Sequence, residues 1–406
     1  MRLLAPLCLA ALLPGSVLAQ EDAGGLRLEF GLSQRITATT DNDLTDRDRT
    51  PETAISTGLD AALISETRSE RLAFGLGLGL ELADGGVETR DPRLSLSYGR
   101  VGPGSALDLA VSWSQSDFET LRRDAVRFDE DGTPILPDDL DDLFGAGTRT
   151  ARSAEASFRW GQEAPLGGSL GLRVGDLTYD GDGAPEDSRS ATLSAGISAQ
   201  LTPVSRAELT LSGTRTEEAG ETRDTTRLAL RYTLDRPLGA ISVTASAVRE
   251  EDEDPRLGLS FGRSYALPRL TLSGEVGVSE DGSGDPALTG RLALQYALPD
   301  GQIRVGLSRS VAVGDDDSDT TALSAAYARA LTPLANLAVE FDYARTEDAD
   351  GRLDTGSLSA SLGYQLTPDW QARIGASANL RETDATGRQD AQSVFLVLDR
   401  RLTLRP

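Results

Sequence analysis

Of the residue types that commonly carry out chemistry in proteins, this sequence offers mainly two, carboxylates and arginines. It contains no histidine, and its one cysteine, Cys8, lies close to the N-terminus. Without histidine there is no Ser/His/Asp or Cys/His nucleophile, no His-ligated zinc and no imidazole base. Paired carboxylates could still run glycosidase-type hydrolysis. Here, however, the acids crowd into runs such as Glu250 to Asp254 and Asp315 to Asp319, the pattern of solvated loops. Those runs, and Asp180-Gly181-Asp182, offer hard oxygen ligands for calcium. None completes a twelve-residue calcium loop with a closing bidentate Glu. The expectation is a protein that is not an enzyme, with no catalytic, cofactor or metal site.

The cations are all of one kind. The chain carries 40 basic and 64 acidic residues, and every basic one is arginine. A formal net charge of −24 argues against nucleic acid as a partner. The arginines of interest fall in two settings. One set shares alternate positions of apolar segments with acids: Asp108, Glu155, Arg159, Arg173, Glu208, Arg227, Arg231, Arg256, Glu275, Arg291, Arg304, Glu340, Asp342 and Arg373. The other lies in the longest polar stretch, 117–150, where Arg122, Arg123 and Arg127 precede Asp138, Asp139, Asp141 and Asp142. Phe118, Leu121, Ala125 and Phe128 recur there at helical spacing, which predicts a helix over 119–128. A second is predicted over 136–145, with Pro137 in its first turn, aspartates at its positive end and Gly145 to stop it.

The elements that must position the first set are strands. Leu288, Leu292, Leu294, Tyr296 and Leu298 alternate with Thr289, Arg291, Ala293, Gln295 and Ala297. Period two marks a strand with one apolar and one wet face. Pro299-Asp300-Gly301 turns the chain, Ile303, Val305 and Leu307 repeat the pattern, and an acidic connection leads into Leu323, Ala325 and Tyr327. This plan of strand, short turn, strand and long acidic loop recurs from Gly25 onward, giving about twenty segments, within a range of 18–22. Tyr98, Trp160, Tyr232, Tyr265, Tyr296, Tyr327, Tyr364 and Trp370 all sit near short-turn ends, as an interfacial girdle would. A soluble sandwich has no reason to collect them at one end.

Before the first strand, Arg2, the apolar run Leu3 to Leu13 and Val17-Leu18-Ala19 read as a signal peptide over residues 1–19. Residues 20–406 then form one domain, with no mature segment approaching the apolar length of a membrane helix.

From Gly25 to Leu402 the pattern resembles Gram-negative outer-membrane β-barrels, porins among them. The resemblance implies an all-β, antiparallel, transmembrane up-and-down barrel in the outer membrane, bathed by lipid and lipopolysaccharide. One departure is the C-terminus, Leu404-Arg405-Pro406 in place of the terminal aromatic such barrels often carry. Charges on strand positions avoid the lipid, where arginine at mid-membrane costs about 2–4 kcal/mol, so the alternating set is expected to line the lumen. Porins fold a long loop inward at the place in strand order held here by 117–150. The resemblance therefore implies a channel for small hydrophilic solutes, with that loop as its constriction; the loop's other reading is a cap over the outer mouth. The competing reading is a non-conducting surface scaffold, loosely similar to barrels associated with exopolysaccharide export.

Overall fold

The computed structural model describes residues 25–40, 52–83, 86–117, 127–128, 134–135, 147–181, 185–250, 255–280, 286–311, 318–347, 351–384 and 387–405. The expected signal peptide and most of the long connection lie outside the described residues. The chain runs β1 (Gly25–Thr39), β2 (Glu52–Glu66), β3 (Glu70–Ala83), β4 (Gly86–Gly102), β5 (Ser105–Asp117), and a short pair, β6 (Arg127–Phe128) and β7 (Pro134–Ile135). It continues with β8 (Gly147–Trp160), β9 (Leu166–Gly181), β10 (Ser188–Thr202), β11 (Ser205–Glu218), β12 (Glu221–Arg236), β13 (Gly239–Glu250), β14 (Arg256–Leu267) and β15 (Leu270–Glu280). The last strands are β16 (Pro286–Leu298), β17 (Gly301–Val311), β18 (Asp319–Thr332), β19 (Ala335–Glu347), β20 (Arg352–Gln365), β21 (Trp370–Thr383) and β22 (Gly387–Leu404).

Twenty of these strands form one sheet, and β6 pairs only with β7. Each barrel strand pairs antiparallel with its neighbour in sequence, β5 reaching β8 across the long connection. The same holds from β13 to β22, which returns to β1 with Leu404 opposite Leu28. The sheet is thus a closed barrel without an edge. Followed partner by partner round the ring, the registers return to β1 displaced by about 24 residues. That shear sets a strand tilt of about 40° and a backbone diameter of roughly 40 Å.

Register keeps one side-chain parity outside all the way round. Leu28 faces Leu63, Leu63 faces Phe74, and Leu94 faces Trp113. Most of the exposed large apolar residues stand on this face, against lipid. The eight girdle aromatics share it. Trp160 pairs with Gly168 and covers it so closely that a Cβ there would fall 2.2 Å from the indole. Its ring also stacks on Phe158 at 5.8 Å. The inward parity buries little: among described residues, the buried apolar side chains are Ile64, Ala106, Ala322, Ala344, Ala391 and Val397. Side chains this few and small cannot fill the cylinder.

Three details depart from the sequence-based expectation. Strand β4 begins at Gly86 rather than near Leu94, because a bulge at Asp91 and Pro92 absorbs the proline, and Asp91 takes a φ of 50°. The connection between β11 and β12 is a two-residue turn, Ala219-Gly220, with φ of 54° and 81°. A primed turn of this kind continues the strand twist, so not every connection at that end is a long acidic loop. In the long connection, β5 extends to Asp117 and β8 starts at Gly147, which confines it to 118–146. Arg127 and Phe128, expected to end a helix, are extended and pair with Ile135 and Pro134. The intervening Asp-Glu-Asp-Gly segment has turn chemistry, and hairpin pairing satisfies backbone groups that a short helix would leave open.

The Pro-marked short turns, the start of β1 and the end of β22 share one rim, which outer-membrane barrels keep in the periplasm. Epitope tags at Asp316 or Asp348 are therefore expected to label on intact cells, and a tag at Asp300 only after permeabilisation. The opposite labelling pattern would reverse this orientation.

Candidate pore and constriction

Every charged strand position singled out from the sequence lies on the inward parity. The register shows why: Asp108 pairs with Ser157, Arg173 with Glu155, Arg231 with Glu208, and Arg291 with Glu275, each set between outward apolar neighbours. These side chains nevertheless divide into two kinds of wall.

On the first wall, arginines are matched to carboxylates across neighbouring strands. Arg159 binds Asp108 at 2.9 Å, Arg173 binds Glu155 at 3.0 Å, and Arg373 binds Asp399 at 3.2 Å. Arg93 reaches over β3 to Asp60, a pair that the sequence reading missed although Asp60 alternates visibly with Leu59 and Leu63. Gly77 lies beneath it, where a Cβ would fall 2.4 Å from the Arg93 Nε and 2.9 Å from the Asp60 carboxylate. Being open to solvent, such pairs add little stability. Their effect is to cancel the local field.

The second wall runs from β12 to β19 and is not matched in this way. Among the described residues Arg227 and Arg291 have no hydrogen-bond or ion-pair partner, while Arg231 and Arg304 reach only neutral groups, Ser242 and Gln302, each at 3.4 Å. Two acids of this wall accept from hydroxyls instead: Ser260 donates to Glu275, and Ser357 donates to Asp342 at 3.3 Å. Arg231, Glu275, Arg291, Arg304, Glu340 and Asp342 line a recess of about 790 Å³ in this wall. Fixed charges of both signs there stand in contact with water, able to bind or repel a solute in passage.

The same wall receives the long connection. β7 comes within 8 Å of β18, measured between Cα atoms, and β18 contributes Ser324 to the recess. In ring order β18 lies directly across the barrel from β8, where the connection ends. β7 therefore stands against the wall opposite the strand at which the connection ends. Arg122, Arg123, Asp138, Asp139, Asp141 and Asp142 lie outside the described residues, and for Arg127 only the backbone is described, in β6. The acidic runs considered for calcium also fall largely outside them. Among the described residues no cluster of three acidic, His or Cys side chains is arranged to hold a metal ion. No described helix is long and apolar enough to cross a membrane; the strands do the crossing.

Residues 153–349 match the family profile described as Gram-negative porin, a stretch from within β8 to just beyond β19. No curated protein matches the chain. Among solved structures it is similar to a mutant of the ferric enterobactin receptor PfeA from Pseudomonas aeruginosa, with a TM-score of 0.56 and 8% identity over 94% of this chain and 81% of that one. The siderophore receptor PirA from Acinetobacter baumannii gives 0.55 and 8% identity, again over 94% and 81%. At such identity the likeness is one of fold. The closed twenty-stranded barrel and the profile match define an outer-membrane β-barrel of porin-like type. It is a channel or transporter of the Gram-negative outer membrane.

If the unmatched wall faces the permeation path, its cations should set ion preference. Changing Arg227, Arg231, Arg291 and Arg304 together to Gln should raise the potassium-to-chloride permeability ratio about twofold or more. The reversal potential across a salt gradient reads this directly, and an unmoved value would place these arginines off the path.

Proposed function

We propose that the protein is a diffusive channel for small hydrophilic solutes and performs no chemistry on them. The observation that carries this reading is the approach of β7 to β18, a strand directly across the barrel that also lines the charged recess. A chain segment that crosses a wide, wet lumen narrows it. A non-conducting scaffold would need a filled interior, and the inward glycines, serines, alanines and threonines leave it open. Transport in this form needs no cofactor and no catalytic residue: solutes are sorted by size and by charge at the narrow point.

The connection also sets the sign of that sorting. Between residues 118 and 146 acids outnumber arginines, with Arg122, Arg123 and Arg127 opposed to Asp138, Asp139, Asp141 and Asp142 among others. A constriction bearing excess negative charge concentrates cations. Replacement of residues 124–145 by a short Gly-Ser link should raise single-channel conductance and weaken cation preference in planar bilayers. Unchanged conductance and selectivity in a correctly folded deletion would remove the constriction, and silence of the intact protein would favour the scaffold.

A further inference from the structure

On the lipid-facing surface, the two rims treat arginine differently. At the long-loop rim several outward arginines find acids on the same face: Arg152 and Arg189 both bind Asp176, at 2.7 and 3.0 Å. Arg309 binds Asp319, and Arg345 binds Asp354, each at 2.8 Å. At the short-turn rim, Arg100 has Glu70 at 3.6 Å. Four others there, Arg236, Arg263, Arg329 and Arg400, have no such match among the described residues, and two of them lie over aromatic rings. Arg263 and Arg400 each stand four positions before the end of their strand, β14 and β22, towards the short-turn rim. Both have outward parity, between Phe261 and Tyr265 in one case and beside Leu32 in the other.

Each guanidinium lies over a girdle ring. The Arg263 group is 4.4 Å from the Tyr265 ring centre, and that of Arg400 is 5.3 Å from Trp370, its directly opposed cross-strand partner. Stacking occupies the face of the guanidinium and leaves its edge of N–H donors unused. Neither side chain has a hydrogen-bond or ion-pair partner among the described residues. Nη1 of Arg263 and Nε of Arg400 are buried and unsatisfied, a costly state for a charged donor. Beside Arg263 the opposed residue on β15 is Gly274, where a Cβ would meet nothing nearer than the Leu292 side chain at 3.6 Å. The missing side chain leaves a shallow groove in the lipid-facing wall.

We propose that Arg263 and Arg400 are two binding sites for the phosphate of anionic phospholipids in the periplasmic leaflet. At this depth the anion that can reach both is a lipid headgroup, and a guanidinium edge suits a phosphate diester through two parallel N–H donations. The ring beneath fixes the guanidinium, so little freedom is lost on binding. Lipopolysaccharide phosphate belongs to the opposite rim, where Arg152, Arg189, Arg309 and Arg345 are already matched by acids.

The test is native mass spectrometry of the folded barrel released from micelles containing phosphatidylglycerol, phosphatidylcholine or lipopolysaccharide. The wild type should retain up to two phosphatidylglycerol molecules, and Arg263→Gln with Arg400→Gln should weaken that retention about tenfold. Arg152→Gln, at the other rim, should leave it unchanged. Tyr265→Leu with Trp370→Leu keeps both charges and removes the rings, and should also weaken retention, which guards against a misfolded arginine variant. Equal retention of phosphatidylglycerol in both double variants would overturn the proposal. So would equal retention of phosphatidylcholine, or displacement of the lipid by inorganic phosphate or lipopolysaccharide.

Discussion

Inside a bilayer no water is available to satisfy a backbone N–H or C=O, and each one left open costs several kcal/mol. The closing pair, β22 with β1, answers this constraint for the whole molecule. Residues 28–39 would otherwise present a bare edge to lipid; they pair instead with residues 393–404. Closure in turn fixes the register of all twenty strands, since each must carry the same parity outward. From that follow the apolar belt, the wet interior and the position of every charge. The few buried apolar side chains show how little of this depends on a packed core.

The use of arginine as the sole basic residue suits a structure whose surfaces differ so sharply. Its planar group can pair with a carboxylate across strands, as Arg159 does with Asp108, or reach over a glycine, as Arg93 does above Gly77. It can also lie flat on an aromatic ring in the membrane interface, as Arg400 does on Trp370. A lysine offers a compact, strongly hydrated charge and no fork of donors, so it could meet the first need but not the last two as well. Height and parity decide which of these roles a given arginine has.

This division also explains what could be read from sequence. The strands were legible because burial by lipid imposes period two with few exceptions, and the girdle was legible because Pro-rich short turns mark one rim. Inward parity of Arg291 or Glu275 followed from the same alternation. What pairing would do with those charges was not legible. Arg173 and Arg291 look alike in sequence and each stands opposite a glutamate in register, yet only Arg173 binds its partner, because side-chain conformation decides, and Glu275 accepts from Ser260 instead. The bulge at Asp91 and the turn at Ala219-Gly220 depend on backbone geometry that the two-residue period does not encode. The last two residues of the helix expected over 119–128, Arg127 and Phe128, are extended for a related reason: a short apolar spacing competes poorly with a turn-rich segment that can close a hairpin.

The two walls of the lumen bear on how selectivity can arise in so wide a cylinder. A field across roughly 40 Å of water is screened within about 8 Å at physiological salt, so wall charges alone act only on solutes near the wall. Matched pairs reduce even that reach. Charges without an acid partner, such as Arg227 and Arg291, gain influence only where something brings the solute to them, and β7 approaches β18 of the same wall. Narrowing and charge are therefore effective together and weak apart: a loop against the matched wall would sort by size alone, and free arginines in an open lumen would scarcely sort at all.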